Sequence, residues 1–301
     1  MAMTAKMRTP HLMRRYASFT GSTAETLPRP TSPWGQRIHD HAIDVALDKL
    51  VKGLKIVGIM GGHSVLRNDT AYTDIARLGK LLTSAGYTVI TGGGPGVMEA
   101  ANLGAYMAEY PDGQFKQAIA RLSQAPGYQD NPDKYVQAAY QVTREFPSKG
   151  TLSLAVPTWA YSTEPTGQFA SHIAKYFANS IREDGLLAMG TYGMIFAPGS
   201  AGTLQEIFQD TAHNSYMTFH YRAAMVFFGK AFYTAPPSIV DVVKDHATKD
   251  QPGWEKFIGV CDTPEEALQF IKTHPPEVTA PPSPRHARLN SFLTNIQKVR
   301  T

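Results

Sequence analysis

The sequence is poor in cysteine, with a single one, Cys261, among 301 residues. No intramolecular disulfide can form, cysteine cages for zinc or iron–sulfur clusters are excluded, and a reducing compartment fits best. Long apolar runs are missing too, and none approaches the roughly 18 residues of a membrane helix. Charged residues make up only 18% of the chain while 43% are hydrophobic. That balance belongs to a globular protein and excludes a wholly disordered or fibrous one. The length permits one large α/β domain with appendages or two small domains.

Charge is unevenly spread. Residues 1–35 hold five Lys/Arg against one Glu, and residues 274–301 hold four against one. The middle, residues 36–273, is left with 20 basic and 23 acidic side chains, a net −3. A nucleic-acid-binding core would carry the opposite sign, so no nucleic-acid partner is expected. The basic, Ser/Thr-rich start, broken by Pro28, Pro30 and Pro33, reads as a flexible extension, with a transit peptide as the alternative. The end, from 274, is a proline-rich connector leading into a short helical pattern with Phe292, Ile296 and Val299 on one face.

Between these tails the pattern alternates strand and helix. A helix from about Gln36 to Val51 precedes KIVGIMGG (55–62), a short apolar run ending in glycines. Asp69 or Thr70 opens the next helix, with Ile75, Leu78 and Leu82 on one stripe, and Gly86 closes it. YTVITGGG follows as strand two, then a helix from Pro95 to about Glu109. Residues 111–147 read as a polar, helical insertion. TLSLAVPT, GMIFAPG and AMVFFG read as later strands, and FIGVC leads into DTPEEALQFIKTH, where Thr263 and Glu266 form a capping box. Such alternation predicts a parallel sheet covered on both faces.

In such a sheet ligands bind beyond the carboxyl ends of the strands. Three segments there are unusual. GGHS (61–64) combines close backbone approach with the hydroxyl of Ser64. TGGGPGVMEAAN (91–102) feeds a glycine cluster into a helix, whose N-terminal amides and dipole make an anion site. APGSAGTLQEIFQD (197–210) repeats the arrangement, with Thr203 and Glu206 in the first turns of its helix. Two such loops in one sheet point to a nucleotide. Neither carries a Walker lysine, and Gly92, Gly94 and Gly96 lack the further glycine of the dinucleotide fingerprint, Glu99 standing in its place.

GGGPGVMEAAN followed about a hundred residues later by PGSAGTLQE resembles the signature pair of the lysine-decarboxylase-like, Rossmann-type LOG family, over roughly residues 54–273. The resemblance implies a Rossmann-like, doubly wound α/β fold and a phosphoribohydrolase, cleaving the N-glycosidic bond of nucleoside 5′-monophosphates to free base and ribose 5-phosphate. It implies a homodimer, and the chain as a whole reads as a cytoplasmic enzyme with no cofactor and no metal. Glu206 and Arg182, which lies sixteen residues before Pro198, would be the catalytic pair. Substrate contacts would come from Ser64, Gly92, Gly93, Gly94, Gly96 and Glu99 on one side, and from Gly199, Ser200, Gly202 and Thr203 on the other. Ser180 and Glu183 read as a capping box that sets Arg182 in a first helical turn. Two positions depart from the family pattern. Ser200 replaces a glycine, at a cost in backbone freedom or with a hydroxyl in place of a close amide, and Glu183 replaces a basic residue.

Other residues invite roles. Trp159, Tyr161 and Glu164, after strand three, would stack on or recognise a base, or pack a lid of their own. His63 sits in a ligand loop, whereas His213, Asn214 and Tyr216 read as a polar helix face or a subunit contact. No His/Asp/Glu cluster has metal-ligand spacing. The rival to an enzyme is a non-catalytic nucleotide sensor on the same loops. A DNA-processing protein of related fold is weaker, because the middle of the chain is acidic.

Overall fold

The computed structural model describes residues 32–160, 167–250 and 253–279. The short helical pattern near the C-terminus, Tyr161 and Glu164 lie outside the described residues, as does most of the N-terminal extension. The chain begins with α1 (Pro33–Leu50), which Ser32 opens by accepting the Gly35 N–H at 3.1 Å. β1 (Ile56–Met60), α2 (Thr70–Ser84), β2 (Thr88–Thr91) and α3 (Val97–Tyr106) follow. The insertion folds as α4 (Asp112–Leu122) and α5 (Pro132–Glu145). The second half runs β3 (Ser153–Ala155), β4 (His172–Ile173), α6 (Asn179–Met189), β5 (Gly193–Phe196), α7 (Ala201–Tyr216), β6 (Tyr221–Arg222) and β7 (Met225–Phe228). It ends with α8 (Lys230–Thr234), α9 (Ile239–Asp250), β8 (Ile258–Cys261), α10 (Pro264–Thr273) and β9 (Glu277–Val278).

Seven strands pair in the order β4-β3-β2-β1-β5-β7-β8, and every pair is parallel. The fold is the Rossmann-like α/β sheet expected from the strand–helix alternation. Helices must cover both faces, because every residue of β1, β2, β5 and β7 is buried. One face packs Val57, Ile59 and Ile195 against Leu78 of α2, Leu103 of α3 and Ile271 of α10. The other packs Ile56, Met60 and Phe196 against Leu47 of α1, Leu186 of α6 and Ile207 of α7. The alternation of Ile56, Val57, Ile59 and Met60 between two clusters is the period-two rule at work. The insertion joins the first face through Phe115, Leu122 and Val142.

Several local expectations shift. The helix expected from Pro95 starts at Val97, because Gly96 adopts φ 68° and the turn must finish before the helix begins. The strand expected over 151–158 is three residues long. Asp69 stands at the N-cap of α2, but its carboxylate accepts from the Leu66 N–H at 2.8 Å and stiffens the approaching loop instead. The capping box of Thr263 and Glu266 forms as expected. No helix among the described residues is long and apolar enough to cross a membrane.

Candidate active site

Chain order and strand order reverse between β1 and β5, the switch point where a doubly wound sheet opens a crevice beyond its strand ends. Three loops meet there, after β1, β2 and β5, and backbone bonds stitch them together. The Gly62 N–H donates to Pro198 O at 2.9 Å, and the Val97 N–H donates to Gly62 O at 3.2 Å. A Cβ at Gly96 would sit 2.6 Å from Gly62 O, so the close approach of the first two loops, as well as the positive φ, requires glycine. Buried Thr91 and Asn102 fix the second loop. Thr91 Oγ1 donates to Asn102 Oδ1 at 2.6 Å, accepts the Gly93 N–H at 3.2 Å, and Asn102 Nδ2 donates to Leu154 O.

The crevice is a pocket of about 510 Å³, within the range of small-molecule sites. Ser64, Gly94, Arg182, Ser200, Gly202, Thr203 and Glu206 all line it. The structure thus brings residues 142 positions apart in the chain to one cavity. The amino ends of α3 and α7 both open beside it, so two helix dipoles and their first-turn amides favour an anion. Ser200 has φ −105° and ψ −156°, extended backbone that any residue adopts. Its replacement of a glycine therefore carries no strain, and its hydroxyl is an added donor at the mouth of α7.

Arg182 is buried and held from two sides. Its Nε donates to Val156 O at 2.8 Å and its Nη2 to Gly92 O at 3.0 Å. Gly92 does not line the pocket. Its part is to make room, since a side chain there would collide with the guanidinium. The Ser180–Glu183 capping box does not form, because α6 begins at Asn179 with Ala178 as N-cap. Asp40 of α1 supplies the acceptors instead, taking the Phe177 and Ala178 N–H groups at 2.9 Å each. Glu183 is buried and accepts from Asn179 Nδ2 and Gln205 Nε2, both at 2.7 Å, which ties α6 to α7 beside the pocket.

Glu206 is half-buried, two turns into α7. Burial pushes its carboxyl from an ordinary 4.5 up to about 7, with Arg182 opposing the rise and Glu183 adding to it. A carboxyl poised there in a crevice has the signature of an acid–base group. One turn further on, Asp210 is fully buried, pushed up to about 8 by burial alone, and its Oδ2 lacks a hydrogen-bond partner.

Glu99 is not at the pocket. It receives Arg67 Nε and Nη2 at 2.7 and 2.8 Å and the Tyr72 hydroxyl at 2.7 Å, all buried. Burial, the largest single influence, depresses the Arg67 pKa, but the charge and hydrogen bonds of Glu99, with smaller help from Tyr135 and Tyr72, together hold the guanidinium above its ordinary value. Gly93, Gly96 and Gly199 shape the loops without lining the cavity. Trp159 stacks on Phe177 with ring centroids 4.2 Å apart and does not reach the pocket. His213 meets Asp184 at 3.2 Å, and Asn214 Oδ1 accepts the Ala223 N–H, both structural contacts. His63 lines the pocket. The residues that sequence reasoning missed are Met98, Tyr128, Gln129, Asp130 and Tyr135 on the wall, and Arg67 behind it. Only the position of the insertion between two strands signalled Tyr128, Gln129, Asp130 and Tyr135, while Met98 sits within the glycine-loop motif and Arg67 follows the loop after β1. No group of three or more His, Cys, Asp or Glu among the described residues is arranged to hold a metal.

Residues 54–110, which contain β1, β2 and the first two loops, match the model of the SLOG cluster4 family. That segment is SLOG-like. Its matched span carries the GGGPGVMEAAN signature and the Arg67–Glu99 pair, while the helices of Arg182 and Glu206 lie beyond the SLOG-like match. None of the curated proteins matches the chain. Among solved structures, a molybdenum cofactor binding protein from the phototrophic bacterium Rippkaea orientalis is similar at 15% identity and a TM-score of 0.45, covering 73% of this chain and 96% of that one. The Moco carrier protein of Chlamydomonas reinhardtii is similar at 17% identity and a TM-score of 0.42, over 73% and 96%.

Proposed function

We propose that the chain hydrolyses the N-glycosidic bond of nucleoside 5′-monophosphates to free base and ribose 5-phosphate. The observation that carries this reading is one pocket lined by residues at two helix amino ends, a carboxyl raised to about 7 and a fixed guanidinium. The 5′-phosphate suits the amides of the loop before α7 and the hydroxyls of Ser200 and Thr203, with Ser64 assisting. Ribose then lies toward Glu206 and Arg182.

In the reaction the C1′–N bond breaks and its electron pair leaves with the base. A water oxygen bonds to C1′, and one water proton ends on the base. The transition state is oxocarbenium-like, so the Glu206 carboxylate stabilises its positive charge and takes the proton of the attacking water. Arg182 complements the anionic substrate and limits the rise of the Glu206 pKa. No metal or cofactor is required by these steps. The reading includes a homodimer, supported by Leu204, Phe208 and Tyr216, which expose 36%, 47% and 75% of their surface along the helix that carries Glu206.

The test is incubation with a panel of nucleoside monophosphates, with released base and ribose 5-phosphate read by chromatography. Turnover in the wild type should fall by about 10²-fold or more in Glu206→Gln, the range of a lost acid–base group. Binding without product from any nucleotide would leave a nucleotide sensor and refute the hydrolase.

A further inference from the structure

The loops at the strand ends present amides, hydroxyls, one guanidinium and the Glu206 carboxyl, groups suited to phosphate and ribose. A base needs something else, a ring to stack on and polar groups to read its edge. Tyr128 and Tyr135 supply the only benzenoid rings among the described residues that line the pocket, and both belong to the insertion. The loop between α4 and α5 adds Gln129 and Asp130, exposed side chains that also line the cavity. Tyr135 is buried, its ring covered by the Arg67 guanidinium at 3.3 Å. Tyr128 is half-buried and meets Tyr135 edge-on, with centroids 5.4 Å apart. The pair forms a stiff aromatic corner with Tyr128 outermost.

Arg67 decides where this wall stands. Its Nη1 donates to Tyr135 O at 2.9 Å and to Ala125 O at 3.4 Å, and its backbone N–H donates to Pro126 O at 3.1 Å. Ser123 Oγ donates back to Arg67 O at 3.0 Å. The same guanidinium grips Glu99 in the first turn of α3, the helix that opens at the glycine loop. One buried residue thus ties the segments flanking the 126–130 loop to α3, whose amino end opens beside the pocket.

Resting on the nucleotide reading above, we propose that the insertion is the base-recognition wall of the site. Tyr128 stacks on the base, Gln129 and Asp130 read an edge that donates N–H groups, and Arg67 is the positioning residue that keeps this wall in register with the phosphate loops. The Asp130 carboxyl accepts only, so an exocyclic amino group is favoured over a carbonyl at the position it faces.

The experiment uses the full chain with AMP, GMP, IMP and UMP, and ribose 5-phosphate as a probe that lacks a base. Tyr128→Leu is expected to weaken every nucleotide about tenfold, mainly through KM, as loss of one stacking partner does. Asp130→Ala and Gln129→Ala are expected to change the ranking of the bases by about tenfold. Ribose 5-phosphate should bind all three variants as it binds the wild type, measured by calorimetry. Arg67→Lys keeps a cation beside Glu99 but loses the fork, and should compress the same ranking. Unchanged KM for every nucleotide in Tyr128→Leu together with unchanged ranking in Asp130→Ala and Gln129→Ala, with turnover intact, would overturn this inference and leave the hydrolase standing. Parallel weakening of ribose 5-phosphate would overturn it as well, since the wall would then be merely structural. If the wild type releases no base, the hydrolase fails, and nucleotide affinities that still rank by base and shift in these variants uphold the wall.

Discussion

Replacing Glu206 by Gln should make the protein more stable at neutral pH while stopping it from working. A carboxyl whose folded pKa is about 7 against an ordinary 4.5 stays protonated in the fold while it ionises in the unfolded chain. Stability therefore falls as pH rises from 4.5 to about 7, and the penalty is constant above that. Its ceiling is about 3.4 kcal/mol, at about 1.36 kcal/mol per pKa step of one. Water reaches this half-buried carboxyl from the pocket, so about 1.5 kcal/mol is the better expectation. Urea unfolding of wild type and Glu206→Gln at pH 4.5 and pH 8 isolates it, because every other titrating group is shared. With an m-value of about 3 kcal/mol/M, the variant's midpoint should gain about 0.5 M at pH 8 and nothing at pH 4.5. Equal midpoints at both pH values would refute the idea that burial holds this carboxyl up. The acid–base reading also requires activity to rise with pH through about 7, as the carboxylate forms.

Glu99→Ala strands the buried Arg67 charge and removes the acceptor of Tyr72, at a cost of about 3–5 kcal/mol. Thermal unfolding should fall by about 10 °C. Adding Arg67→Met to Glu99→Ala should recover part of the loss, since no unpaired charge then remains. Phe208→Glu places a charge in the exposed apolar stripe of α7; if the proposed homodimer uses this stripe, sedimentation should report a dimer for the wild type and a monomer for the variant.

Much of the sheet edge was legible because its signals are local. Glycines directly after an apolar run, followed by a helical pattern, locate a strand end, a tight turn and a helix amino end within a dozen residues. Ser64, Gly94, Ser200, Gly202, Thr203 and Glu206 all reach the pocket by this route, and Arg182, which the family resemblance supplied, joins them there. The same locality misled at α6, where Ser180 and Glu183 have capping-box spacing. The acceptor that wins is Asp40, 137 and 138 residues away from its two partners, and no window of sequence contains both.

Glu99 shows the limit most clearly. In the sequence it lies inside the GGGPGVMEAAN signature, and the family resemblance carried by that signature makes it a substrate contact. In the fold it is 32 residues from Arg67, which in turn is 68 residues from Tyr135 and 58 from Ala125. A fully buried arginine must find enough acceptors to replace its water, and this one finds two carboxylate oxygens and two carbonyls in three separate segments. Such a group cannot be satisfied until all three segments are in place, so it welds the insertion to the glycine-loop helix. The insertion, polar and without signature residues, reads in isolation as an appendage. Its place on the pocket wall follows from the solvation needs of Arg67, a constraint that belongs to the folded interior and leaves no periodic trace in the chain.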